Sequence, residues 1–274
     1  MTWRTHLYHA LLWLIALFFF APVAWIVLAS FKTAQQILAV PPRLLFVPTL
    51  DNYARLFSAA SLTHEMFNSV AMSVLAVVIA AACAFLAAFS FSRFKPGGTD
   101  FLMFLLLSIR MLPGSAVILP VYLMYVGFGW KDSYIAMTLF YAMFSIPFAV
   151  WILKGFIDGV SPRFDETGLV NGASWLHIIF RLVLPQVLPG VVAAVIFNFI
   201  FVWNEFLFDF IIGGPHTSNI PVALATGLYS GGGVDWTFLC ALTSVYIIPP
   251  TLIVYFFQRY LLVGMTFGTV RGEV

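Results

Sequence analysis

"FNSVAMSVLAVVIAAACAFLAAFSFS", residues 67–92, runs without a single charged side chain. A helix that crosses a bilayer needs about 20 mostly apolar residues, and this stretch exceeds that length. Its Val, Ala, Leu and Phe residues do not alternate strictly with polar ones, so a helix fits and a barrel strand does not. Five further stretches read the same way, approximately 8–30, 101–126, 133–154, 191–212 and 237–262. The expected fold class is therefore all-α, a polytopic membrane protein with six transmembrane helices. No fixed-period repeat or low-complexity tract divides residues 1–274, which predicts a single integral domain.

Composition points the same way. Hydrophobic residues make up 62% of the chain and charged residues 9%, with a mean hydropathy of +1.01. Soluble domains carry roughly 25% charged residues, so this chain could not cover its own surface in water. A net charge of +2 without any Lys/Arg run gives no footprint for nucleic acid. Cys83 and Cys240 both sit in apolar runs, where they read as small hydrophobes. The first apolar run, Ala10 to Ala29, exceeds the roughly 7–15 residues of a signal-peptide core and no small-x-small cleavage site follows. It reads as a retained span.

Basic residues orient the spans. With the N-terminus inside, the inner segments hold Arg4, Arg93, Lys95, Lys154, Arg163, Arg181, Arg259 and Arg271, and the outer ones Lys32, Arg43, Arg55 and Lys131. The bias predicts both termini in the cytoplasm. Outside, the prolines of "PPRLLFVPTLDNYARLF" are expected to stop the first helix, with Asp51 or Asn52 capping a short interfacial one. The glycine-rich segment 213–236 is the expected mobile element. Inside, Pro96, Gly97 and Gly98 make a tight turn.

The inner segment 156–190 is unlike its surroundings. Asp165 and Glu166 suit a helix N-terminus, and Gly172 is expected to end or bend that helix. Trp175, Ile178, Ile179 and Leu182 then form one apolar face, with Pro185 and Pro189 stopping the second helix before the next span. A bent helical elbow with a greasy face outside lipid is a docking part.

Within this elbow Glu166-Thr167-Gly168 is followed after three residues by Gly172 and, nine residues later, by Leu182-Val183-Leu184-Pro185. The pattern resembles the signature loop of ABC-importer permeases: Glu-Ala-Ala, three residues, Gly, nine residues, Ile-x-Leu-Pro. Thr167, Gly168 and Leu182 replace the two alanines and the isoleucine, and Asn171-Gly172-Ala173 stands where such permeases carry Asp-Gly-Ala. "TLDNYARLF", "MLPGSAVILPVYLMYVGFGWKDSY", "WNEF" (Trp203–Phe206) and "FQRYLLVGMTFGTVRG" extend the likeness over nearly the whole chain. They are similar to the second permease subunit of carbohydrate importers of the maltose and glycerol-phosphate type.

The resemblance implies a single transmembrane permease domain in a bacterial or archaeal inner membrane. Paired with a second permease subunit as a heterodimer, it would form half of an alternating-access pathway for a sugar or sugar derivative. Glu166, Thr167, Gly168, Asn171, Gly172, Ala173, Leu182, Leu184 and Pro185 would form a coupling helix seated on a cytoplasmic ATPase dimer, and the Gly264–Gly272 tail would brace that junction. An extracytoplasmic solute-binding protein would deliver the solute. The resemblance implies no cofactor on this chain, with ATP and Mg held by the partner ATPase. The residues agree: no G-x-x-x-x-G-K-[ST] phosphate loop occurs, since each lysine follows a bulky apolar or aromatic residue.

Few ionisable groups fall within spans. Arg110, Glu205 and Asp209, with Asn204 beside them, sit where charge is expensive. Glu205 and Asp209 are four apart and are expected to share a helix face, with Arg110 as a candidate partner. Two readings stand open, a hydrated pathway or gate and a structural polar network. Tyr122, Tyr125, Tyr141 and Trp151 are further pathway candidates. An ion-gradient-driven secondary transporter is the alternative function, hinted at by Pro113, Pro120 and the Glu205 region. Ser115 and Ser145 lack a His/Asp set, so the chain is not expected to be an enzyme.

Overall fold

The computed structural model describes residues 3–227 and 233–266, without the side chains of Arg4 and 261–266. Among these residues every regular element is helical. Five helices are long and apolar enough to cross a membrane: Thr5–Ser30 within α1 (Trp3–Ser30), α4 (Ala60–Arg93), α7 (Tyr134–Asp158), the continuous stretch Trp175–Trp203, and Trp236–Tyr260 within α13 (Trp236–Thr266). A further apolar pair, α5 (Thr99–Met111) and α6 (Gly114–Gly127), passes the same test together but is bent by 93° at its break. The single straight helix expected over 101–126 is therefore corrected. Pro113 carries no N–H and forces its predecessor out of the α region, and Leu112 is extended at ψ 129°. Pro120 sits inside α6 without breaking it.

The span expected at 191–212 is corrected at both ends. Its helix starts at Trp175, passes as α9 (Trp175–His177) through a wide π-turn at Ile178–Val183, and continues as α10 (Leu184–Trp203). Pro185 and Pro189 do not stop it. The wide turn, in which Leu184 N–H bonds to Ile179 O, restarts the α geometry and places Pro185 in a first turn, where its missing N–H costs nothing. After Trp203 the chain breaks over Asn204–Phe206 and resumes as the short α11 (Leu207–Ile212).

The chain divides into two compact units, Met1–Glu65 with Ile220–Ile248, and Met66–Asn219 with Pro249–Val274. The first holds α1, α2 (Ala34–Ile37), α3 (Asp51–Ser58), α12 (Ile220–Gly227) and the start of α13. Helix α1 ends at Ser30, well before the prolines expected to stop it. Asn52 Nδ2 takes over its last carbonyl, donating to Ser30 O at 2.8 Å, and also to Lys32 O just beyond the helix at 2.9 Å. Asn52 is thus a buried C-terminal clasp for α1, and neither it nor Asp51 caps α3, whose N-cap is Leu50 without a side-chain bond. Beside it Lys32 is buried, its ammonium donating to Arg43 O at 2.8 Å over the rings of Trp25 and Phe46. In contrast, the apolar window of α1 is nowhere buried by the chain.

The second unit carries the main core. Phe85, Ala88 and Phe89 of α4, Ala149, Val150, Leu153, Phe156 and Ile157 of α7, and Ile178, Val183, Val187 and Ala194 pack together. Gly190, Ala193 and Ala194 let α10 approach α7 closely, and a Cβ at Gly190 would run into the Phe156 ring. In the segment expected to be mobile, residues 213–219 are instead tied down. Asp132 accepts from Thr217 N and Oγ1 and His216 N, Asn68 Nδ2 donates to His216 O and Ser218 O, and Asn219 N donates to Asp209 Oδ2 at 2.9 Å. Residues 228–232 and the 267–272 part of the tail expected to brace the junction lie outside the described residues.

Candidate functional site

The elbow begins with α8 (Arg163–Val170), where Asp165 and Glu166 fall in the first turn as the helix dipole favours. It ends in a Schellman motif. Ala173 N–H bonds to Gly168 O and Gly172 N–H to Leu169 O, both at 2.9 Å, with Gly172 at φ +79°. Only glycine takes that backbone without strain. Asn171 Nδ2 returns to Thr167 O at 2.8 Å, and Ser174 Oγ accepts from His177 N–H to start the next helix. Gly172 thus bends the chain as expected.

The apolar face of the second helix points elsewhere than expected. Ile178 is fully buried, and Trp175 packs edge-on against Phe89 and Phe94 at centroid distances of 6.3 and 5.0 Å. Ile178 and part of Ile179 and Leu182 thus pack on the chain's own core, while Trp175 stays 40% exposed. What remains outside is an open groove lined by Thr167, Asn171, Gly172, His177 and Leu182, and Val170, next to Asn171 in the chain, is 88% exposed. Glu166 is exposed on the same helix. Leu184 packs on the core and Pro185 is exposed further along; neither lines the groove. Gly168 is buried there, and a Cβ on it would meet Leu182 Cδ1 at 3.0 Å and Ile178 Cγ1 at 3.1 Å. Two departures from the signature pattern, Gly168 and Leu182, touch each other.

The base of the elbow is held by charges that the reading of single segments missed. Arg93 Nε lies 2.5 Å from Asp165 Oδ2 with both side chains 7% exposed, and Arg93 Nη2 donates to Val160 O at 2.9 Å. One residue earlier Ser92 Oγ donates to Asp158 Oδ1 at 2.6 Å, and Lys154 Nζ reaches Asp158 Oδ2 at 2.8 Å. The end of α4, the end of α7 and the start of α8 are thereby locked. A signal existed: in a chain with 9% charged residues each charge needs a partner, and Arg93 and Asp165 fall in consecutive inner segments.

The second candidate region is a cavity of about 650 Å³ where the two breaks meet. Gly114, opening α6, lies so close to α11 that a Cβ would be 3.2 Å from Leu207 Cδ2 and 3.3 Å from Phe208 Cε2. Arg110, Asn204 and Glu205 all line this cavity. Glu205 and Asp209 do not share a helix, since the chain breaks between Trp203 and Leu207. Glu205 instead serves the new helix start, accepting from Phe208 N–H at 3.0 Å and Asp209 N–H at 3.3 Å, while Tyr141 OH donates to it at 3.2 Å. Asp209 is buried against Asn219 N–H. Arg110 is not their ion-pair partner. Its guanidinium lies 3.6 Å from the Phe201 ring centroid and donates to Phe144 O at 3.4 Å. Of the aromatic candidates Tyr141 joins this site, whereas Tyr125 OH is spent on Ala136 O.

Comparison with known proteins adds a family. "Binding-protein-dependent transport system inner membrane component" matches residues 80–266. The chain is 32% identical over 263 residues to the "Probable ABC transporter permease protein y4oR" of Sinorhizobium fredii, covering 95% of this chain and 94% of that protein. It is 26% identical to the "Trehalose/maltose transport system permease protein MalG" of Thermococcus litoralis, again covering 95% and 94%. Among solved structures it superposes on a chain of a bacterial ABC transporter that imports the acidic polysaccharide alginate, with TM-score 0.77 and 18% identity over 94% of this chain and 96% of that one.

Proposed function

Because the chain belongs to the inner-membrane components of binding-protein-dependent transport systems, we propose that its elbow docks a cytoplasmic ATPase and that its cavity forms part of a sugar pathway. A member of this family is a multi-pass permease subunit of an ABC importer in the inner membrane, which removes the ion-gradient-driven alternative. The observation that carries the docking role is the rigid base. An exposed, sharply bent elbow is tied to the end of α4 through Arg93–Asp165, and α4 is tied to the end of α7 through Ser92–Asp158 and Arg93–Val160 O. Force on the groove around Gly172 would reach α4 and α7 without being absorbed on the way, which is what coupling between two states requires.

In this reading Glu166, Thr167, Asn171, Gly172 and Ala173 meet the ATPase, and Gly168 and Leu182 set the groove's floor. ATP and Mg stay on an ATPase dimer, and this chain performs no hydrolysis. Both termini face the cytoplasm. A second permease subunit covers faces that the chain leaves bare, α1 foremost, and an extracytoplasmic binding protein presents the solute. A sugar or sugar derivative is favoured by the trehalose/maltose permease and the alginate importer that this chain is similar to. The test is a cysteine at Val170, 88% exposed, cross-linked in the assembled transporter. Capture of the nucleotide-hydrolysing subunit is expected, and a cross-link that never reaches it overturns the docking role.

A further inference from the structure

We infer that the cavity at the two helix breaks binds an anionic group of the transported solute, with Arg110 as the recognising cation, so that the substrate class is an acidic saccharide. This rests on the carbohydrate reading above and narrows it. Irregular backbone at membrane depth is tolerated where it lines a cavity, and here two breaks, at Leu112–Pro113 and Asn204–Phe206, open onto the same one. Its volume of about 650 Å³ falls in the range of small-molecule sites, which are lined mainly by apolar and aromatic groups with a few polar ones to fix orientation.

The charges in and beside this cavity are unequal in availability. The Glu205 carboxylate is turned to Phe208 N–H, Asp209 N–H and Tyr141 OH. Asp209 accepts from the Asn219 backbone. The Arg110 guanidinium has no ion pair with any carboxylate among the described residues. It lies over Phe201, near Phe144 and Phe148, and spends one long hydrogen bond on Phe144 O. Guanidinium is always protonated and offers five N–H donors in a planar fork that matches a carboxylate or sulfonate. Stacking on a ring satisfies its face and leaves its edge for an anion. Phe206, which lines the same space, adds apolar surface beside the fork. An arriving anion would supply the countercharge that the described residues do not.

The test uses the complete transporter in proteoliposomes: this chain, the second permease, the ATPase and the binding protein. ATP-driven uptake is measured for glucose against glucuronate, and for maltotriose against trigalacturonate. Uptake of an acidic member is expected, and Arg110→Met should lower it at least tenfold. Methionine keeps an apolar stem on Phe201, so the assembly should still form. Arg110→Lys, retaining the cation without the fork, should raise KM severalfold and leave kcat nearly unchanged. Uptake confined to neutral sugars would overturn the inference and leave the carbohydrate reading standing. Acidic uptake indifferent to Arg110→Met would also overturn it, as expected if a carboxylate of the second permease neutralises Arg110. ATP-driven uptake of none of the four would overturn both.

Discussion

The elbow and the cavity handle charge in opposite ways. At the elbow's base opposite charges meet directly, with Arg93 on Asp165 and Lys154 on Asp158, and the first of these pairs is closed from solvent. In the cavity the opposite charges stay apart, Glu205 on backbone N–H groups and Arg110 on aromatic rings. Paired charges fix a geometry because breaking a buried pair strands an ion. Separately satisfied charges leave the space between them free to take a ligand. One region is built to transmit force and the other to accept and release.

That contrast can be broken most directly at Arg93. Arg93→Ala leaves Asp165 buried without its cation and should cost about 3–5 kcal/mol, read as unfolding in detergent. Removing both partners as Arg93→Met with Asp165→Leu should recover much of the loss. If the single and double variants lose the same amount, the pair is not what locks the elbow. In the cavity the corresponding change is Glu205→Ala, which strands Phe208 and Asp209 N–H groups and the Tyr141 hydroxyl. The expected loss is about 1–3 kcal/mol, and Glu205→Gln, still able to accept through one oxygen, should lose less. A Glu205→Ala protein as stable as the parent would mean that the second break is not held by this carboxylate.

Smaller effects sharpen the picture. Gly172→Ala forces an L-residue into left-handed backbone at a cost of about 1–2 kcal/mol; nothing lies near its Cβ, so the loss should be purely conformational. Uptake should then fall more than stability does, measured as transport per assembled complex. The exposed pair Arg55–Asp235 serves as a contrast to both regions. Burial pushes the Asp235 carboxyl up, but hydrogen bonds from Phe238 N–H, the Thr237 hydroxyl and Arg55, with the Arg55 charge, outweigh it and hold it below its ordinary value. A carboxyl lowered in the folded state adds stability above its unfolded value near pH 3.8, and that contribution disappears as pH falls through the folded one. Acid unfolding should therefore show a small Asp235-dependent component below about pH 4 that Asp235→Asn removes. A parent and variant with identical acid profiles would leave the pair without a stabilising role.

The all-helical class was legible in residues 67–92 and their counterparts because apolar length alone decides it. The bend at Gly172 was legible for a similar reason, since glycine at a helix end is a local conformational signal. The signature spacing located the elbow, while the fate of its apolar face was not readable. Trp175, Ile178 and Leu182 look the same in sequence whether they face a partner or the chain's own core. Pro113 and Pro185 make the point sharply. Both are prolines in apolar runs; one breaks a helix by 93° and the other is absorbed by a wide turn. In the sequence Gly168 is only a replacement for an alanine of the signature, but a Cβ there would meet Leu182, which makes it a packing position.

By itself the sequence determined that this chain lives in lipid, how many apolar stretches it offers to the bilayer, and where a bent polar segment interrupts them. Those properties are set by composition and local backbone preference. The tertiary structure alone decided that Arg93 finds Asp165, that Arg110 finds rings instead of a carboxylate, and that two helix breaks meet in one cavity. Such pairings join residues far apart in the chain, and only packing chooses among the partners that a sequence leaves open.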